Sequence, residues 1–297
     1  MNSRIISFLL TFMALPVDVQ ADMHPNEVAA LQAPAPDRVS SYGEDPLQFG
    51  ELRLPRGAGP FPVVVVIHGG CWTRGFATVD YTDVLAAEIT AMGYATWNVE
   101  YRQVGDPGAG WPGTFQDWGN ALDHLRILAE AEPLSLEQVV VIGHSAGAHG
   151  ALWLGVRPNI RDAAYLTGKT PLRPHAVVAI DGIADLRGWI GADADVCGKP
   201  VIAPLMGGVP GEVPERYALA SPIENTPLGI NQYLVASKVM TPEMAQAYAE
   251  IATAKGDAVE VLQVVDGGHH DIMAPTTEQW KEQVRPFLES LLSREAR

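Results

Sequence analysis

The amino-acid sequence predicts an α/β protein with a mostly parallel sheet that is covered by helices on both faces. Segments typical of strands alternate with segments typical of helices from residue 47 onward, and this alternation favours parallel strands joined by helical crossovers. Continuous apolar runs such as "FPVVVVI" (61–67) indicate strands that are buried on both faces. With 297 residues and 47% hydrophobic content, the chain can bury the core of one domain with a small cap.

Seven segments have the spacing and composition of strands. The first alternates apolar and polar residues, which is typical of an edge strand, and the later ones are mainly apolar. They are "LQFGELRLP" (47–55), "FPVVVVIHGG" (61–70), "YATWNVEYR" (94–102), "QVVVIGHS" (138–145), "PHAVVAIDG" (174–182), "INQYLVAS" (230–237) and "AVEVLQVVDGG" (258–268).

Between and after these strands lie segments with helical spacing of apolar residues. Several end at a glycine or a proline, which are common helix-stop signals. They are "DYTDVLAAEITAMG" (80–93), "TFQDWGNALDHLRILAEAEP" (114–133), a helix from Ala146, "TPEMAQAYAEIATAKG" (241–256) and "TEQWKEQVRPFLESLLS" (277–293). One long segment, 183–229, interrupts this order with repeated Pro and Gly, and we predict that it forms a small irregular cap over the sheet edge.

The N-terminal region divides into two predicted parts. Residues 1–21 carry one positive charge at Arg4, an apolar run and a small residue at Ala21, as in a secretory signal peptide cut after Ala21. We therefore expect a secreted or periplasmic protein that no longer contacts the membrane after cleavage. Residues 22–46 are rich in Pro, Ala and Asp and are expected to form an arm with little structure before the main domain, 47–297.

Charge and cysteine content narrow the classes of partner. The formal net charge is −15, and no cluster of Lys and Arg suggests binding to nucleic-acid phosphates. No cluster with ligand spacing predicts a metal site. The two cysteines, Cys71 and Cys197, could pair in an oxidising compartment, but sequence does not show the required geometry, and two free buried thiols are the expectation.

The segment "GHSAG" (143–147) lies between a predicted strand and a predicted helix. It matches G-x-S-x-G, in which a serine occupies a sharp strand-to-helix turn and small residues are needed two positions before and after it. In that context Ser145 is a candidate nucleophile. An incidental serine in a tight turn is the alternative interpretation.

A second glycine motif, "HGGCW" (68–72), closes an earlier strand. Its glycines allow the backbone to approach a substrate carbonyl, so the N–H groups of Gly70 and Cys71 could form an oxyanion hole with that of Ala146. The general base is expected after the last strand. "VVDGGHHDIM" (264–273) places His269 there, and its neighbour His270 is the alternative.

The chain resembles α/β-hydrolases of the esterase and kynurenine-formamidase-like group over roughly residues 47–292. The resemblance depends on "HGGCW" (68–72), "NVEYR" (98–102), "GHSAG" (143–147), "ASP" (220–222) and "GGHHD" (267–271). It implies an α/β-hydrolase fold and hydrolysis of a carboxylic ester or a small amide without a cofactor. A small-molecule ester is the expected substrate, cleaved through an acyl-enzyme on Ser145, with a formamide as the runner-up.

The usual acid of that group is missing. Relatives carry an aspartate just after the penultimate strand, whereas this chain has "YLVASKVMTPEM" (233–244), with Lys238 at the expected position. A triad histidine needs an acceptor on its far nitrogen. Asp181, at the end of the preceding strand, is the first candidate, and Glu243 or Asp266 is the second. The third possibility is no acid at all, in a weakened enzyme or a binding protein.

Overall fold

The computed structural model describes residues 22–161 and 163–296. The predicted signal peptide, 1–21, lies outside them. The described part contains one eight-stranded sheet in the order β1-β2-β4-β3-β5-β6-β7-β8. β1 pairs antiparallel with β2, β2 pairs antiparallel with β4, and the other neighbours are parallel. The strands are β1 (Arg38–Ser41), β2 (Phe49–Arg53), β3 (Phe61–Ile67), β4 (Ala95–Val99), β5 (Leu134–His144), β6 (Ala176–Ile180), β7 (Asn231–Ala236) and β8 (Val259–Gln263).

Helices connect the parallel strands, as the alternation of the sequence predicts. They are α1 (Pro25–Ala29), α2 (Asp83–Ala91), α3 (Gly113–Asp123), α4 (Leu125–Ala131), α5 (Ala146–Val156), α6 (Ala164–Thr167), α7 (Ala192–Cys197), α8 (Ile202–Met206), α9 (Pro214–Ala220), α10 (Pro242–Ala254) and α11 (Arg285–Glu295). The single helix predicted over 114–133 is interrupted at His124, so α3 and α4 are separate. No helix of the described residues is long and apolar enough to cross a membrane.

The sheet has a buried core on each face because alternate residues of a strand point to opposite sides. In β3, Val63 and Val65 pack in one core with α3 and α5, whereas Val64 and Val66 pack in the other with α2 and α11. Both faces of β3 are therefore covered, which is why its sequence is a continuous apolar run.

The prediction that residues 22–46 have little structure is wrong. The segment contains α1, which begins with a capping box: His24 Nδ1 accepts from the backbone of Asn26, and Glu27 accepts from the backbone of His24. It also contains β1, whose pairing with β2 makes β1 the edge of the sheet. β2, the strand predicted at the edge, therefore has a neighbouring strand on each side.

The segment 183–229 covers the carboxyl end of the sheet as a small cap, as predicted, but it contains the short helices α7, α8 and α9. Asp193 joins two parts of this cap, since its carboxylate accepts from the backbone N–H groups of Gly191, Val201 and Ile202. Burial alone would raise the pKa of the Asp193 carboxyl, but these hydrogen bonds outweigh it and lower that pKa below its usual range.

Candidate active site

Ser145 occupies the turn between β5 and α5. Its backbone has φ 56° and ψ −120°, a conformation that L-residues rarely adopt. The backbone at Gly147 lies directly against the end of β3. A Cβ added at Gly147 would lie only 2.1 Å from the carbonyl oxygen of Ile67. A residue larger than glycine at 147 would therefore displace the end of β3. The geometry is that of a nucleophile elbow.

The loop after β3 approaches this elbow closely. A Cβ added at Gly69 would lie 3.0 Å from the Cβ of Ser145, so the "HGGCW" loop and the nucleophile turn are in contact. Among the described residues, the N–H groups of Gly70, Cys71 and Ala146 have no acceptor in the protein. Unpaired amides beside a serine are what an oxyanion hole requires.

Cys71 and Cys197 form a disulfide, so the expectation of two free thiols is wrong. Their Cα atoms are 6.2 Å apart, within the range that a disulfide can bridge. The sequence separation is 126 residues, and the bond joins the loop after β3 to the end of α7 in the cap. It therefore ties one predicted oxyanion-hole residue to the cap covalently.

His269 lies in the turn after β8, and its partner is Asp181. The two side chains meet through His269 Nδ1 and Asp181 Oδ2, which are 2.6 Å apart, and Asp181 is fully buried at the end of β6. Because Nδ1 contacts Asp181, Nε2 is the ring nitrogen that does not take part in this contact. His269 and Ser145 both line one cleft. Ser145 Oγ has no hydrogen-bond partner among the described residues. Catalytic hydrogen bonds are often long in the free enzyme and tighten with substrate.

The loop after β7, where the sequence resemblance implies the acid, surrounds the Asp181 carboxylate with backbone amides. Oδ1 accepts from the N–H groups of Ser237, Val239 and Met240, and Oδ2 accepts from that of Lys238. The Lys238 side chain is exposed, so only its backbone contributes. The loop thus binds a carboxylate that comes from the neighbouring strand.

The other carboxylates considered from the sequence lie elsewhere. Glu243 is exposed in the first turn of α10, and Asp266 is exposed in the turn after β8. Of the three candidates, only Asp181 hydrogen-bonds His269. His270, the alternative base, points to a different partner: its Nδ1 lies 2.8 Å from the hydroxyl of Tyr81.

His68, the first residue of "HGGCW", is fully buried and anchors the loop after β3. Its Nε2 lies 2.9 Å from Glu100 Oε1 and its Nδ1 lies 2.8 Å from the carbonyl of Gly69, while its ring stacks on Tyr101. Burial alone would raise the pKa of Glu100, but His68 and the N–H groups of Tyr101 and Val79 outweigh it and lower that pKa. The sequence analysis did not identify this pair, although both residues lie within quoted motifs.

Two adjoining cavities meet at Ser145. A cleft of about 170 Å³ is lined by both His269 and His270. On the other side, an apolar hollow of about 20 Å³ is lined by Trp72, Trp189 and the disulfide. No group of three or more His, Cys, Asp or Glu side chains suited to a metal ion occurs in the part of the chain that the structure describes.

The fold and the elbow define an α/β-hydrolase, which confirms the class that the sequence resembles. The BD-FAE family matches residues 51–226, more than half of the chain, and the chain belongs to this family of α/β-hydrolase-type esterases.

Two relatives, an esterase and a kynurenine formamidase, match part of the sequence. Esterase LipC of Mycobacterium tuberculosis (strain ATCC 25618 / H37Rv) is 27% identical over 150 residues, which cover 50% of this chain and 36% of that protein. Kynurenine formamidase avaC of Aspergillus versicolor is 29% identical over 134 residues, which cover 42% of this chain and 44% of that protein. The matched region thus spans less than half of either relative.

Solved structures share the fold over nearly the whole chain. A truncated carbohydrate esterase from gut microbiota superposes with a TM-score of 0.71 at 18% identity, covering 89% of this chain and 99% of that one. A bacterial heroin esterase superposes with a TM-score of 0.70 at 22% identity, covering 92% of this chain and 88% of that one. At these identities the likeness establishes the fold.

Proposed function

We propose that this protein is an exported serine hydrolase that cleaves carboxylic esters with small acyl groups through an acyl-enzyme intermediate. The observation that carries the proposal is the His269–Asp181 contact of 2.6 Å at a cleft that Ser145 shares. A buried carboxylate on Nδ1 fixes the imidazole tautomer whose Nε2 can accept the serine proton. The unpaired N–H groups of Gly70, Cys71 and Ala146 are suited to the oxyanion.

The reaction has two halves. Ser145 Oγ attacks the carbonyl carbon while His269 Nε2 takes its proton, and the oxyanion receives hydrogen bonds from the three amides. Collapse of this intermediate breaks the ester C–O bond, and the leaving alkoxide takes the proton back from His269. Water then attacks the acyl-enzyme, again with His269 as base, and releases the acid and Ser145.

The two cavities suggest which part of the ester lies where. His269 must reach the leaving oxygen to protonate it, so the cleft that His269 lines suits the alcohol. The apolar hollow on the other side then suits the acyl group. Its small volume of about 20 Å³ favours short acyl groups such as acetyl, and a formamide would fit the same space.

Export is supported by the disulfide, because such bonds persist mainly in oxidising compartments. The test is expression of the full chain, cell fractionation and N-terminal sequencing of the product. We expect a mature chain that begins at Asp22 in the secreted or periplasmic fraction. An intact N-terminus in the cytoplasmic fraction would contradict the proposal.

The hydrolytic proposal is tested with p-nitrophenyl acetate, butyrate and octanoate, together with an N-formyl arylamine. We expect turnover to decrease with acyl length and a fluorophosphonate probe to label Ser145. In Ser145→Ala, labelling should disappear and turnover should fall by about 10⁶-fold, with unchanged thermal unfolding. A wild-type protein that resists the probe and cleaves none of these compounds would instead be a binding protein with this fold. Preference for the formyl compound would favour the amide hydrolase.

A further inference from the structure

Three side chains beside Ser145 form a hydrogen-bonded chain that the proposed reaction does not use. Tyr81 Oη lies 3.2 Å from His144 Nδ1 and 2.8 Å from His270 Nδ1, and His144 Nε2 lies 2.8 Å from the carbonyl oxygen of His269. Tyr81 and His144 are buried, whereas His270 is partly exposed in the cleft.

The direction of each hydrogen bond in this network follows from its last acceptor, the carbonyl oxygen of His269. The carbonyl of His269 can only accept, so His144 Nε2 carries a hydrogen. Burial, helped by His269 and His270, lowers the pKa of His144 well below its usual range, so the ring is neutral and its Nδ1 is an acceptor. Burial also raises the pKa of Tyr81, and the protonated hydroxyl therefore donates to His144.

The same reasoning fixes the tautomer of His270. Since the Tyr81 hydrogen is already used, the Tyr81 oxygen must accept from His270 Nδ1–H. Burial and the neighbouring His269 lower the pKa of His270 to about 4, so this ring is neutral near pH 7 and its Nε2 keeps a free lone pair. Among the described residues, Nε2 has no hydrogen-bond partner, and it is not buried. Nε2 is therefore exposed to solvent, and His270 is one of the residues that line the cleft.

We propose that His270 Nε2 is the hydrogen-bond acceptor of a leaving-group subsite for alcohols that carry a second hydroxyl group. The inference rests on the proposed function, because His269 identifies the cleft as the alcohol side. The other walls of this cleft include the apolar side chains of Pro25, Phe76 and Val196. A fixed acceptor beside apolar walls favours a hydroxyl over a methyl group, since an unmatched polar atom lowers affinity.

The test compares three acetate esters of similar size: 2-hydroxyethyl, 2-methoxyethyl and propyl acetate. The methoxy compound has nearly the electronic effect of the hydroxyl compound but no donor, and each rate is divided by its alkaline hydrolysis rate. We expect the normalised kcat/KM of the hydroxyethyl ester to exceed the other two by about tenfold, the effect of one hydrogen bond. His270→Phe should bring this ratio close to one.

Two further variants make the result specific. Tyr81→Phe removes only the oxygen that orients His270, so it should lower the ratio as well, and it serves if His270→Phe does not fold. His175→Phe is the matched control, because His175 is a half-exposed histidine next to the opposite end of β6, and it should keep the wild-type ratio.

The outcomes separate the subsite from the proposed function. Equal normalised rates for all three esters in the wild type, or a preference that survives in both His270→Phe and Tyr81→Phe, would overturn the subsite alone. Failure of the wild type to cleave any of the three would overturn the ester-hydrolase proposal and the subsite with it.

Discussion

Replacing Asp181 by asparagine tests the proposed acid, and the structure fixes how the amide must lie. Oδ1 accepts from three backbone N–H groups, whereas Oδ2 accepts from Lys238 N–H and from His269 Nδ1. The amide oxygen of the introduced asparagine is therefore expected at the Oδ1 position, and its NH₂ group would face His269. A donor there favours the tautomer with hydrogen on Nε2, which cannot accept the serine proton.

The expected cost has two parts. Turnover should fall by about 10⁴-fold, as for an amide in the acid position of a catalytic triad, with little change in KM. The NH₂ group would also face the N–H of Lys238, which is a donor too, so this hydrogen bond is lost. Together with the loss of a charged acceptor, this should lower the free energy of unfolding by about 2 kcal/mol.

The assay is single-turnover and steady-state hydrolysis of p-nitrophenyl acetate, with urea unfolding as the measure of folding. Glu243→Gln and Asp266→Asn are matched controls, because each removes one exposed carboxylate, and both should stay within about twofold of wild type. An Asp181→Asn variant with more than a tenth of wild-type turnover would refute the role of Asp181. Inactivation by either control would move the acid to a later loop.

Other perturbations test the surroundings of the site. Glu100→Gln removes the carboxylate facing His68 and should lower the free energy of unfolding by about 3 kcal/mol and turnover by at least tenfold, as measured by urea unfolding and kinetics; an unchanged midpoint would contradict the role of this pair. Cys197→Ser should lower the unfolding free energy by about 2–4 kcal/mol and reduce turnover, and dithiothreitol should do the same to the wild type but not to the variant. Burial and the neighbouring Asp83 raise the pKa of Glu51 to about 7. The folded protein therefore keeps a proton that the unfolded chain releases above pH 4.5. Because of this difference, the stability of the folded protein should decrease as pH rises from 5 to 8. Glu51→Gln should flatten this decrease in Tm, and parallel pH curves for the two proteins would disprove it.

The turn at Ser145 and the loop of residues 68–72 could be predicted because the contacts that shape them are local. Gly147 and Gly69 are needed where two backbones touch, and such contacts leave small residues at fixed spacings around Ser145. The parallel strands were equally clear, since burial on both faces demands apolar runs. β1 could not be predicted, because its four residues, "RVSS", lie at the sheet edge and need no apolar pattern.

The sequence leaves the carboxylate partner of His269 open, because the surroundings of Asp181 consist of backbone atoms. Four N–H groups surround Asp181, and any residue other than proline supplies one, so Lys238 carries no sign of this role. The chain through Tyr81 and His270 was missed for another reason: it joins residues from three distant segments. The disulfide likewise depends on where the cap places Cys197, which no local pattern reveals.

The disulfide also determines what a cut in the chain would do. Residues 168–170 are exposed between α6 and β6, and Lys169 among them is a site for trypsin. A cut there leaves Ser145 in one fragment and both Asp181 and His269 in the other. Because the Cys71–Cys197 bond spans the cut, the two fragments remain one covalent molecule until a reductant is added. The disulfide therefore keeps the residues of the site in one molecule even after the peptide chain between them is cut.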